Sequence, residues 1–163
     1  MNNPYAAPES AVAEIGSAED RPLLWNPNAA ASWSLLFTPV FGAWLHMRNW
    51  RALGDPARAS QQGWWIVASV AVMLGLAGAS IALPENKALD ALSRVGGLAV
   101  LLAWYFTSAK PQARLVKERY GDAYARRGWG LPLLFGVLGM LAFFVAAVAM
   151  VLVATLVFNR PMP

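Results

Sequence analysis

Cysteine is absent from the chain, so disulfides, thiolate nucleophiles and cysteine-ligated metals are excluded together. Histidine occurs once, at position 46, with no carboxylate near it in its apolar run, so a metal site built on it lacks further ligands. Charge is scarce as well: Asp, Glu, Lys and Arg make up 13% of the residues, against about 25% in a soluble domain. The GxxxxGK[S/T], GxGxxG and HExxH patterns are missing, which removes the nucleotide-binding and zinc-protease readings. Glu9, Glu14, Glu19, Asp20 and a single Arg21 stand before any apolar core, and this predicts no cleaved signal peptide. No cofactor is expected.

What is present is apolar length. Hydrophobic residues are 58% of the 163, a size that allows one compact unit. Residues 1–28 are rich in Pro, Ala, Ser and acids and read as a flexible tail. Residues 29–163 read as a single transmembrane helical domain with four apolar segments, at about 29–47, 64–83, 91–109 and 131–158. The first is the weakest. It is just long enough to cross a hydrocarbon core of about 30 Å, but Pro39 removes a backbone donor in its middle, with Thr38 and Gly42 beside it. Either this helix is kinked and spans, or it turns back as a re-entrant hairpin shielded by the others. Four spans are the favoured reading, because continuous helix is the commoner way to satisfy backbone groups in lipid.

Punctuation between segments is legible. Gly54 suits a left-handed C′ position, Asp55 a cap and Pro56 a first helical position, so a second, short helix is expected there. Arg94, near the entry of the third segment, can pair with Asp90 at i,i+4. From Lys110 to Arg127, Ala113, Val116, Tyr120, Ala123 and Tyr124 recur at helical spacing among basic residues, predicting an interfacial amphipathic helix weakened by Gly121. The expected fold is therefore an all-α integral membrane bundle of four hydrophobic segments, with this basic helix between the third and fourth.

Arg48, Arg51 and Arg58 lie in one loop, and Lys110, Arg114, Lys117, Arg119, Arg126 and Arg127 in another, whereas the 84–90 connection has only Lys87 beside Glu85 and Asp90. Basic loops resist translocation, so the two rich loops belong in the cytoplasm and the C-terminus outside. If the first segment spans, the N-terminal tail is outside; if it is re-entrant, inside. The net charge of +4 sits between apolar runs, so the lipid bilayer is the expected partner and nucleic acid is not.

Three sets of residues carry functional expectations, each beside a blander one. Arg48, Arg51, Arg58, Arg114, Lys117, Arg126 and Arg127 could contact anionic lipid or an acidic membrane-protein partner, though such stretches often only anchor topology. Ala71, Gly75 and Ala79 form a small-residue ridge for close helix packing, within the monomer ahead of homo-oligomerisation. Thr38, Pro39 and Gly42 mark a helix break. His46 reads as an interfacial side chain beside Trp44 and Arg48. No apolar run holds a carboxylate, which weighs against proton-coupled transport.

Trp25-Asn26-Pro27, Trp33-Ser34-Leu35-Leu36-Phe37-Thr38-Pro39, Phe41-Gly42-Ala43-Trp44-Leu45-His46 and Asn49-Trp50-Arg51-Ala52-Leu53-Gly54 together resemble a group of small proteobacterial inner-membrane proteins of uncharacterised function. The resemblance covers mainly residues 25–54 and implies a bacterial inner membrane and several spans, with no activity to carry over. Asn3-Pro4-Tyr5-Ala6-Ala7-Pro8 is similar to tails of bacterial multi-pass proteins, which implies an N-terminus inside. The leading functional expectation is a non-catalytic accessory, regulatory or partner-binding subunit with a basic cytoplasmic face. A small oligomeric pore or permease lined by the broken segment comes second, and a membrane-embedded enzyme third.

Overall fold

The computed structural model describes residues 21–83 and 85–158. In chain order these form β1 (Leu23–Leu24), α1 (Pro27–Ala52), α2 (Pro56–Ala82), α3 (Lys87–Trp104), a π-helical turn (Tyr105–Ala109), α4 (Lys110–Tyr120), β2 (Ala125–Arg126) and α5 (Gly130–Phe158). Helix dominates, as the apolar runs predict. The two short strands pair in parallel, Leu23 opposite Ala125 and Leu24 opposite Arg126.

The first apolar segment is not one continuous helix. Thr38, with φ 79° and ψ 162°, interrupts the helical conformation of α1 just before Pro39. A straight helix would separate Pro27 from His46 by about 28 Å at 1.5 Å per residue. Instead His46 Nε2 lies 3.2 Å from the Pro27 carbonyl oxygen, and the Asn49 side chain reaches the backbone of Trp25. The chain therefore doubles back at Thr38 into a helical hairpin with limbs 27–37 and 39–52. The favoured fourth span is thus not among the helices long and apolar enough to cross, and the segment has the shape of the hairpin alternative. A proline following a residue held outside the helical region costs no ladder bond at a reversal, whereas inside a crossing helix it would leave a carbonyl orphaned.

Three helical stretches are long and apolar enough to cross a membrane: Pro56–Ala82, Lys87–Tyr120 and Gly130–Val157. The first absorbs the short helix expected at Pro56. Gly54 takes φ +75°, the Asp55 carboxylate accepts the Arg58 backbone N–H at 2.9 Å, and α2 then runs without interruption to Ala82. The second stretch joins α3 to α4 through the π-helical turn, so Lys110, Arg114, Lys117 and Arg119 ride on the end of a long helix and not on a separate one. At 34 residues that stretch is about 51 Å long, well beyond a hydrocarbon core of about 30 Å, and its basic end must emerge. Gly121, at φ +55°, ends it, so Ala123 and Tyr124 lie past the helix. Arg94 pairs with Asp90 at 3.0 Å as its spacing predicts.

The outside of the bundle is apolar. Along α5, Leu131, Leu134, Phe135, Phe144, Val145, Val153 and Leu156 are all exposed, and an apolar surface of that extent belongs against lipid. The core instead gathers on the hairpin. Trp25, Ala30, Phe37, Phe41 and Leu45 form one buried cluster, flanked by Trp33, Trp44, Trp129 and Leu133. Ala43, Leu101, Trp104 and Ala109 form a second. Leu24, Val116 and Tyr124 form a third, with Leu53 against it. Leu24 and Trp25, which composition assigns to the tail, are thus core residues; residues 1–20 of that tail lie outside the described residues.

Candidate functional site

The hairpin closes because one residue on it has no side chain. A Cβ at Gly42 would overlap both the Ser34 hydroxyl and the Trp104 ring, so Gly42 lets the two limbs and α3 meet. Ser34, four residues before the turn, donates its hydroxyl to the Ala30 carbonyl at 2.9 Å and needs no partner from Gly42. At the base, Asn49 acts as a two-point clamp: its Oδ1 accepts the Trp25 backbone N–H at 3.0 Å and its Nδ2 donates to the Trp25 carbonyl at 2.8 Å. Asn26 caps the first limb by accepting from the backbone N–H groups of Asn28 and Ala29.

From this clamp a buried polar chain runs through the molecule. Asn49 Nδ2 approaches Gln112 Oε1 at 3.4 Å, and Gln112 Nε2 donates to the His46 carbonyl at 3.0 Å. The His46 ring stands edge-on to Trp104, with centroids 5.2 Å apart. Trp104 Nε1 donates to Gln62 Oε1 at 3.0 Å, and the Gln62 amide donates to the Ser108 hydroxyl. The hairpin, α2, α3, the π-helical turn and α4 are thereby tied by polar side chains that are nearly all shielded from solvent. A buried amide that lost its partner would pay the full desolvation cost, so this chain fixes one arrangement of the helices.

His46 is fully buried, not interfacial as its neighbours Trp44 and Arg48 suggest. Burial lowers its pKa to about 4, against a smaller opposing effect of the Pro27 carbonyl. Neutral imidazole facing a carbonyl carries its proton on Nε2, which leaves Nδ1 buried with no hydrogen-bond partner. The chain from Asn49 to Ser108 holds amides, an imidazole, an indole and a hydroxyl, with no carboxylate or ammonium. It lacks the paired acid and base that proton-transfer chemistry requires. Among the described residues no three His, Cys, Asp or Glu side chains converge as a metal site would need.

The basic residues singled out by charge are brought to one end. Strand β1 lies beside β2, the Arg127 backbone N–H donates to the Leu24 carbonyl at 2.8 Å, and Arg127 Nε donates to the Leu23 carbonyl at 2.9 Å. Leu53, in the turn between α1 and α2, packs on the same cluster as Leu24, Val116 and Tyr124. Arg48, Arg51, Arg58, Arg114, Lys117 and Arg126 are exposed around this platform, and Arg127 is half-buried. Arg58 pairs with Asp55, Arg114 with Glu118 and Arg126 with Asp122, while among the described residues Arg48, Arg51, Lys117 and Arg127 have no carboxylate partner.

Within one chain the small-residue ridge faces mostly outward. Ala71 and Gly75 are exposed, Ala79 is half-buried, and a Cβ on Gly75 would meet nothing. The glycines that do allow close approach are Gly42, Gly96 against Leu76, and Gly136 against the Phe37 ring. Of the break residues, Thr38 makes the reversal, Pro39 starts the second limb and Gly42 packs it. On the α5 side the walls around the reversal are apolar apart from Thr38, whereas on the α3 side Pro39 lines a smaller cleft with Ser69, Ser80 and Ser93.

Asn49, Gln62, Ser108 and Gln112 were not singled out from the sequence. Their signal was present as spacing: Gln62 and Ser69 are seven apart on α2, and Ser108 and Gln112 four apart, each pair on one helical face otherwise made of apolar residues. Compared with protein-family models, curated proteins and solved structures, the chain matches none.

Proposed function

We propose that the protein is a non-catalytic multi-pass component of a bacterial inner membrane, an accessory or partner-binding subunit that presents a basic cytoplasmic face to anionic lipid or an acidic partner. The observation that carries this reading is the convergence of β1, the 53–55 turn and the 121–129 segment at one end of the bundle, with Arg48, Arg51, Arg58, Arg114, Lys117, Arg126 and Arg127 around them. The opposite connection offers Lys87 with Glu85 and Asp90. Such an asymmetry orients the basic end toward the cytoplasm, where anionic headgroups attract each Lys or Arg by about 1 kcal/mol.

The buried polar chain supports a scaffolding role, since it locks the hairpin to the crossing helices without forming an acid–base site. The test is charge reversal: Arg114→Glu, Lys117→Glu and Arg126→Glu together, in protein held in zwitterionic nanodiscs and mixed with phosphatidylglycerol vesicles or an acidic bait. The triple variant should lose most of the association, and unchanged association would reject the basic-face reading.

A further inference from the structure

The second limb of the hairpin, α2 and α5 enclose an apolar cleft of about 590 Å³, a size typical of ligand pockets. It runs along α5 from Phe135 to Ala147, a rise of about 18 Å, close to the depth of one leaflet of a bilayer whose hydrocarbon core is about 30 Å thick. The lining is apolar save for Thr38 at the reversal, and Phe135, Met140 and Phe144 are exposed, so the cleft opens sideways toward lipid. At its basic end the wall is Trp44, with the Arg48 guanidinium 5.7 Å above the ring. The Trp25 ring stands 6.2 Å from Trp44, and the Arg127 guanidinium covers it at 4.7 Å. Two cations without carboxylate partners among the described residues thus stand over this Trp44–Trp25 pair, Arg48 on the ring that lines the cleft and Arg127 on the ring beside it.

We propose that this cleft holds one acyl chain of an anionic phospholipid from the leaflet next to the basic face, with its phosphate between Arg48 and Arg127. Apolar walls of leaflet depth select a chain, and the paired guanidiniums select the negative headgroup. This rests on the membrane reading and the basic face, yet Arg114, Lys117 and Arg126 lie outside the cleft's lining, so the two ideas can fail separately.

The test uses native mass spectrometry of the full chain in detergent, titrated with phosphatidylglycerol or phosphatidylcholine. Wild type should retain one phosphatidylglycerol per chain. Gly139→Trp fills the cleft from a position where an added Cβ meets nothing, and it should abolish retention, whereas Gly75→Trp on the outer face of α2 should not. Replacing Arg48 and Arg127 by Gln should weaken phosphatidylglycerol about fivefold per arginine and leave phosphatidylcholine unchanged. Met140→Trp narrows the same cleft from an exposed side chain and keeps the test open if Gly139→Trp does not fold. Equal retention by the cleft-filling variants would overturn the proposal, as would a lipid-free two-chain species that those variants dissociate, because a second copy would then occupy the groove.

Discussion

Thr38 holds the backbone at φ 79° and ψ 162°, a region that is essentially glycine-only and costs a β-branched residue about 1–3 kcal/mol. The consequence has opposite signs for the two possible forms of this segment. In a continuous crossing helix Thr38→Gly would destabilise by about 0.3 kcal/mol, because glycine is the poorer helix former. In the hairpin the substitution relieves the strained conformation and should raise stability by about 1 kcal/mol, read as a higher thermal midpoint in detergent. Gly42→Ala is its counterpart. The added methyl meets the Ser34 hydroxyl and the Trp104 ring, and overpacking of this kind should lower stability by about 1–3 kcal/mol. A lower midpoint for Thr38→Gly would restore the continuous helix.

At the scale of elements, the hairpin shows why its ambiguity in the sequence was real. Residues 29–47 have the length and hydropathy of a span, and only Pro39, Thr38 and Gly42 speak against one. What decides between the two forms is tertiary: Asn49 meets Trp25, and His46 meets Pro27, across separations of 24 and 19 residues that no local pattern reports. The second and fourth segments were legible because uncharged runs of twenty or more residues leave few alternatives, and the third because Arg94 interrupts it only near its entry. The continuity of α3 into α4 was not, because the pattern changes from apolar to basic where the helix leaves the bilayer, and a change of surroundings resembles a change of element. Asn49→Ala tests the clamp. It orphans the buried N–H and carbonyl of Trp25, at about 1–3 kcal/mol each, so the variant should be less stable by about 2–6 kcal/mol and should exchange the Trp25 amide faster.

For the whole molecule, the hairpin changes the parity of the topology. Four crossings would leave both ends of the chain on one side of the membrane, and three leave them on opposite sides. Strand β1 lies within hydrogen-bonding distance of the segment after α4, so whatever side receives the basic loops also receives residues 21–26. On the proposed topology the chain then crosses in α2, returns in α3 and crosses again in α5, the helices long and apolar enough to do so. With the basic end held in the cytoplasm, a fluorescent protein fused ahead of Trp25 should mature and fluoresce, and alkaline phosphatase fused after Phe158 should be active in the periplasm. Phosphatase inserted in the connection between α2 and α3 should be active as well, since that connection shares its side with the C-terminus. Phosphatase activity at both ends of the chain would mean that the first segment crosses after all, and the contacts between its limbs would then have no place in the folded protein.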